Sequence, residues 1–247
     1  MKRAIKSYKN IDFLNSRQAR VLRILAEYIE PEKRFNEHNI KHTVAFFGSA
    51  RIDPTESNFV ERKKYYEVAE ELSYQLARWS KELTTNGDTF IICTGGGPGI
   101  MEAANKGAYK AKLPTIGLNI SLPEEQEPND YITPELNFEF HYFFMRKLWF
   151  LYHAKALIFF PGGFGTLDEL FEVLTLLQTG KMQKKHILIL LYDEEFWNDI
   201  INFKKLVEFK FISPEDLNLF KFFSTVNEAL EILKRELKDI IANFKLE

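Results

Sequence analysis

The chain has 247 residues, a net charge of −2, 45% hydrophobic residues and 28% charged residues. These values fit one large globular domain or two small ones, exclude bulk disorder, and leave no overall charge with which to hold a polyanion such as nucleic acid. One cysteine, Cys93, cannot close an internal disulfide, and no apolar run reaches the ~18 residues of a membrane span, so a reducing, cytoplasmic setting without a membrane partner is expected.

The start, MKRAIKSYKNIDF, lacks the apolar centre of a secretory signal. Lys2, Arg3, Lys6, Lys9, Arg17, Arg20 and Arg23 stand there against Asp12 alone. A solvated arm leading into a helix accounts for that charge better than nucleic-acid contact does. In the helix, Val21, Leu22, Leu25 and Ile29 fall at helical spacing, and Pro31 is expected to end it. Residues 1–42 read as a helical extension, and 43–247 as one domain without an internal linker.

From there strands and helices alternate. Thr43 to Phe47 is an apolar strand ending at Gly48, and Glu61 to Trp79 is a helix with apolar positions Tyr65, Val68, Ala69, Leu72, Leu76 and Trp79. Phe90 to Thr94 and Thr115 to Ile120 read as strands, with an Ala-rich helix from Ile100 to Lys112 between them. Phe138 to Phe143 is a further strand before a helix from Met145 to His153. Ala156 to Phe160 is a strand, and Thr166 to Gln178 a helix stopped by Gly180. His186 to Tyr192 is a strand before one helix running through Trp197 to Phe209. A short strand at Phe220 to Phe223 precedes a last helix with Val226, Leu230, Leu233, Leu237, Ile240, Ile241 and Phe244 on one stripe.

Repeated strand–helix units, with strands that are continuous apolar runs such as ILILLY, predict an α/β fold. It is Rossmann-like: a doubly wound parallel sheet with helices on both faces. Ligands of such sheets sit at the carboxyl ends of the strands, where the strand order reverses. Glycine is sparse, twelve residues in all, yet seven occur in two clusters at strand ends: Gly95, Gly96, Gly97, Gly99 and Gly162, Gly163, Gly165. Each cluster leads into a helix, an arrangement that lets backbone N–H groups approach an anion. The first places Pro98 in the first helical turn. It matches neither the dinucleotide pattern G-x-G-x-x-G nor the P-loop pattern. In the second, Thr166 and Glu169 have the spacing of a capping box, which explains those two residues but not the glycines around them.

Four stretches then carry a resemblance: FFGSAR (Phe46 to Arg51), TGGGPGIMEAANKGA (Thr94 to Ala108), MRK (Met145 to Lys147) and PGGFGTLDE (Pro161 to Glu169). Together they resemble the LOG ("Lonely guy") phosphoribohydrolases, once labelled possible lysine decarboxylases, over roughly Val44 to Leu191. GLNISLPEEQEPNDYI (Gly117 to Ile132) is similar to the longer-chain branch. The resemblance implies hydrolysis of the N-glycosidic bond of a nucleoside 5′-monophosphate, AMP or an N6-modified AMP, to free base and ribose 5-phosphate. It places Arg146 and Glu169 at the catalytic centre. Where the plant and fungal form reads M-H-E-R-K, this chain has Phe143-Phe144-Met145-Arg146-Lys147.

Cleaving the C–N bond builds positive charge on the ribose, which a fixed carboxylate such as Glu169 can stabilise, while Arg146 can fork onto phosphate or assist the departing base. Substrate contacts are expected from Gly48, Ser49, Gly96, Gly97, Lys147, Gly162, Gly163, Gly165 and Thr166, with Glu102 a candidate second carboxylate. No cofactor or metal is required. His38 and His42 lack a third ligand nearby, and Cys93 reads as a buried structural thiol. The acidic stretch Glu124, Glu125, Glu127 and Asp130 reads as a solvated loop bordering the site. The Phe-rich segment Phe138 to Trp149 is core or the face of a homodimer or larger homo-oligomer. The alternative is a non-catalytic nucleotide or molybdenum-cofactor binding protein of related fold, which would need the glycine loops but not Glu169. A pyridoxal-phosphate decarboxylase would need a Schiff-base lysine in a recognisable setting, and none is evident.

Overall fold

The computed structural model describes residues 3–55, 60–83, 89–123, 127–183 and 187–244. Lys2, Glu124, Glu125 and His186 lie outside the described residues, as do the side chains of Ile241 and Phe244. Among the described residues seven strands form one parallel sheet. They are β1 (His42–Phe47), β2 (Phe90–Thr94), β3 (Thr115–Ile120), β4 (Asn137–Phe140), β5 (Ala154–Phe159), β6 (Leu188–Tyr192) and β7 (Lys221–Phe223). Their order is β4-β3-β2-β1-β5-β6-β7, so the direction of winding reverses between β1 and β5. The expected fold class holds. β1, β2, β5 and β6 are buried along their whole length, as a sheet covered on both faces requires.

The helices are α1 (Ile11–Asn15), α2 (Arg20–Glu37), α3 (Val60–Glu82), α4 (Ile100–Lys110), α5 (Phe143–Tyr152), α6 (Phe164–Gln178), α7 (Glu194–Ile200), α8 (Phe203–Glu208) and α9 (Val226–Phe244). α3 packs on α4 and α9, while α2 packs on α5. None of the described helices is long and apolar enough to cross a membrane. The Phe-rich segment is divided: Phe138, Phe140, Tyr142, Met145 and Trp149 are core, while Phe143, Phe144 and Leu148 are exposed.

Three local expectations are corrected. Pro31 does not end α2; the helix runs on for six residues. An interior proline removes the N–H that would bond the carbonyl four residues back. That carbonyl, of Glu27, instead accepts the indole N–H of Trp149 at 2.9 Å, so the lost helical bond becomes a tertiary one. The helix through Trp197 to Phe209 is two helices, because the Asn202 side chain accepts the Lys205 N–H at 2.9 Å and caps a new start. Pro98 lies outside α4, whose N-cap is Gly99. Cys93 is fully buried and its thiol pKa is pushed up by burial, in keeping with a structural thiol. His38 caps the end of α2 and His42 opens β1, so the two do not share a helix. Among the described residues no cluster of three metal-ligating side chains exists.

Candidate active site

The crevice lies where the strand order reverses, at the carboxyl ends of β1, β2 and β5. The loops are fastened by backbone bonds: Phe160 N–H donates to Phe47 O at 2.8 Å, Ser49 N–H to Pro161 O at 3.1 Å, and Ile100 N–H to Ser49 O at 3.1 Å. These bonds bring Ser49, the start of α4 and the second glycine loop to one place. The Ser49 hydroxyl accepts the Arg51 N–H at 3.1 Å.

The glycines divide by what surrounds them. A Cβ on Gly48 would meet the Ile100 side chain at 2.7 Å, one on Gly162 would overlap Thr166 Oγ1, and one on Gly99 would overlap the Ser49 carbonyl oxygen. Gly99 also holds a φ of +70°, in the region that disfavours any side chain. Those three let chain segments touch. Gly163 and Gly165, in contrast, have nothing within 4 Å of a Cβ position. They are the glycines of the second loop open to a ligand.

Gly163 is the N-cap of α6, and its carbonyl accepts the Leu167 N–H at 3.0 Å. The helix therefore begins two residues before Thr166, and the expected capping box does not form. Thr166 is buried in the first turn against Gly162, and Glu169 points from the body of the helix. Phe164, beside the open glycines, is 92% exposed.

Glu169 is only 6% exposed, and burial raises its carboxyl pKa to about 7. Lys147 and Arg146 oppose that rise, while Glu172 and Asp168 reinforce it. Lys147 Nζ reaches Asp168 Oδ2 and Glu172 Oε2, both at 2.8 Å, so it ties α5 to α6 and is held by carboxylates of the protein. Arg146 lies one residue earlier on α5. Its guanidinium carbon is 5.2 Å from the centre of the Phe143 ring and 5.7 Å from that of Phe150. A Cβ on Gly95 would come 3.8 Å from Arg146 Nη1, which places this cation against the first glycine loop. Burial lowers the Arg146 pKa and Glu169 opposes the fall; Nε is buried without a hydrogen-bond partner among the described residues. A guanidinium and a buried carboxyl group thus lie within electrostatic reach of each other, the first against the 95–99 loop and the second on the helix that starts from the 161–165 loop.

Glu102, in the first turn of α4, accepts the Tyr66 hydroxyl at 2.8 Å, which ties it to α3. The first loop is shaped by three asparagines that motif reading passed over. A Cβ on Gly96, whose φ is +77°, would overlap the Asn119 side chain. Asn105 Oδ1 accepts Thr94 Oγ1–H at 2.7 Å, and Asn105 Nδ2 donates to Thr115 Oγ1 at 3.0 Å. Asn129 reaches the loop from the segment after β3. The available signal was compositional: Asn105 and Asn119 are polar residues inside segments otherwise built for burial.

The profile of a family described as "Possible lysine decarboxylase" matches residues 101–233. The chain belongs to this family, the LOG family. Among its LOG relatives, the probable cytokinin riboside 5′-monophosphate phosphoribohydrolase LOGL6 of Oryza sativa subsp. japonica is 30% identical over 70% of this chain and 66% of its own. LOGL3 of the same plant, with the same description, is 28% identical over 80% of this chain and 85% of its own. The cytokinin riboside 5′-monophosphate phosphoribohydrolase LOG1 of Arabidopsis thaliana is 34% identical over 50% of this chain and 57% of its own. The chain thus spans just under two thirds of LOGL6 and a little over half of LOG1. Among solved structures, the molybdenum cofactor binding protein of Rippkaea orientalis superposes with a TM-score of 0.51 at 20% identity, covering 78% of this chain and 94% of that one. The Moco carrier protein of Chlamydomonas reinhardtii gives 0.51 at 22%, covering 80% and 98%. At those identities the likeness is one of fold. This chain and these carriers share a fold, and the chemistry has to be read from the site.

Proposed function

We propose that this LOG-family chain is a nucleoside 5′-monophosphate phosphoribohydrolase acting on AMP or an N6-modified AMP. The observation that carries this reading is the buried Glu169 carboxyl group, with its pKa raised to about 7, set with Arg146 between two glycine loops. The names of the plant relatives agree with it. The phosphate is taken by the open backbone of Gly163 and Gly165 at the start of α6, where the helix dipole favours negative charge. That remote contact positions the ribose. The C1′–N bond then breaks, water oxygen adds at C1′, and the base leaves with a proton. Positive charge building on the ribose is opposed by the Glu169 carboxylate, which also orients water or ribose hydroxyls. Arg146 forks onto phosphate or meets the departing base.

Phe143, Phe144 and Leu148 on α5 are half-exposed and Phe164 at the start of α6 is bare, apolar surface on which a second copy of the chain would pack. The test of the activity is release of free base from a panel of 5′-monophosphates. Release of adenine and ribose 5-phosphate from AMP is the expected result. Binding of AMP without release would overturn hydrolysis in favour of a carrier.

A further inference from the structure

The segment after β3 presses Asn129 onto the first glycine loop. Its backbone N–H donates to Gly96 O at 2.8 Å. Its side-chain amide donates to Gly96 O, Gly97 O and Asn105 Oδ1, each at 3.0 Å. Its Oδ1 accepts the Tyr131 N–H at 3.2 Å, which fixes the direction of the amide. Asn105 in turn is bonded to Thr94, and Thr94 Oγ1 accepts the Gly96 N–H at 3.0 Å. The carbonyls of Gly96 and Gly97 are thereby both turned toward Asn129. In a planar trans peptide the N–H points opposite to the C=O, so the Gly97 N–H is directed away from Asn129.

We infer that Asn129 is a positioning residue: by holding the Gly96 and Gly97 carbonyls it aims the Gly97 N–H at an anionic oxygen of the nucleotide phosphate. Without its side chain the Gly97 carbonyl loses this partner and the Gly96 carbonyl keeps only the backbone N–H of residue 129, so both peptide planes are held less firmly, and a carbonyl presented to the crevice repels the same anion. The Gly96 N–H is already spent on Thr94 and Pro98 has none, so the Gly97 N–H is the donor at stake, and it serves an anion only while its peptide plane is held in that orientation. This inference rests on the nucleotide reading of the site but does not require hydrolysis.

The experiment compares the full chain with Asn129→Ala and the milder Asn129→Ser, measuring calorimetric affinity for AMP and for adenosine, which lacks the phosphate, alongside base release and thermal melting. The expected result is a rise of about tenfold in the AMP dissociation constant, with adenosine affinity unchanged, since a few hydrogen bonds to an anion are at stake. KM for AMP rises with it while kcat changes less. A purely structural role would weaken both ligands together, and equal losses, or no loss for AMP, would overturn the inference. If wild type binds AMP without releasing base, hydrolysis fails and the affinity ratio alone decides the role of Asn129. A wild type that binds neither ligand overturns both.

Discussion

The two glycine loops look alike in sequence and differ in structure. The loop at 95–99 is crowded: Asn119 lies against Gly96, Ser49 against Gly99, and Asn129 and Asn105 hold its peptides. The loop at 161–165 is crowded only at Gly162, and Gly163 and Gly165 face open space. In the first, Gly96 and Gly99 let protein meet protein, and in the second Gly163 and Gly165 keep side chains out of the way of a ligand. One loop is a built wall and the other an open floor, with Arg146 set against the wall and Glu169 on the helix that rises from the floor.

The largest expected effect lies between them. Glu169→Gln keeps shape and removes the charge, and base release from AMP should fall by roughly 10²–10⁴-fold in a kinetic assay, while AMP still binds. The next test separates the loops. Gly99→Ala should destabilise by about 1–3 kcal/mol in denaturant unfolding, because its φ is positive and its Cβ has no room. Gly163→Ala should change stability by less than about 1 kcal/mol but weaken AMP binding. If the two variants behaved alike, the distinction between wall and floor would be lost.

A third effect follows from the Glu169 pKa. Its folded value of about 7 lies above the ordinary 4.5, so the favourable, protonated burial is present below pH 4.5 and lost as pH rises through about 7. Relative to Glu169→Gln, the wild type should therefore weaken across that window, by up to about 3 kcal/mol, with no further change above it. Equal pH dependence of the two proteins in unfolding experiments would contradict this. The smallest effect concerns Lys147, the leading group holding the Glu169 pKa down. Lys147→Met should move the rising limb of kcat/KM for AMP to higher pH, by under about one unit, with a smaller change in its plateau.

The sheet, its strands and the two loops were legible because continuous apolar runs and clustered glycines are local signals. Arg146 and Glu169 were legible through short motifs around them. What was not legible depended on distant partners. Nothing near Pro31 in sequence shows that a tryptophan 118 positions later takes the carbonyl it frees. The Thr166–Glu169 spacing fits a cap, but the helix starts earlier because Gly163 can begin it. Asn202 could have marked the break between α7 and α8, being a capping residue inside an otherwise helical pattern. Asn129 stands in a loop among acidic residues, and its target lies on another strand's loop, so no local signal marks it.

Pro31 has a consequence for the far end of the same helix pair. Trp149 is 1% exposed and stands three residues beyond Arg146, pinned by its indole to α2 and ringed by Tyr28 and Phe35 from that helix. Cutting the chain after α2 would leave that buried N–H without its acceptor, at a cost of about 1–3 kcal/mol, and bare one side of α5 to water. The guanidinium would then ride on a helix that had lost its backing. The basic arm at the front of the chain, which reads as mere solvated charge, leads into the strut against which the reactive end of α5 is braced.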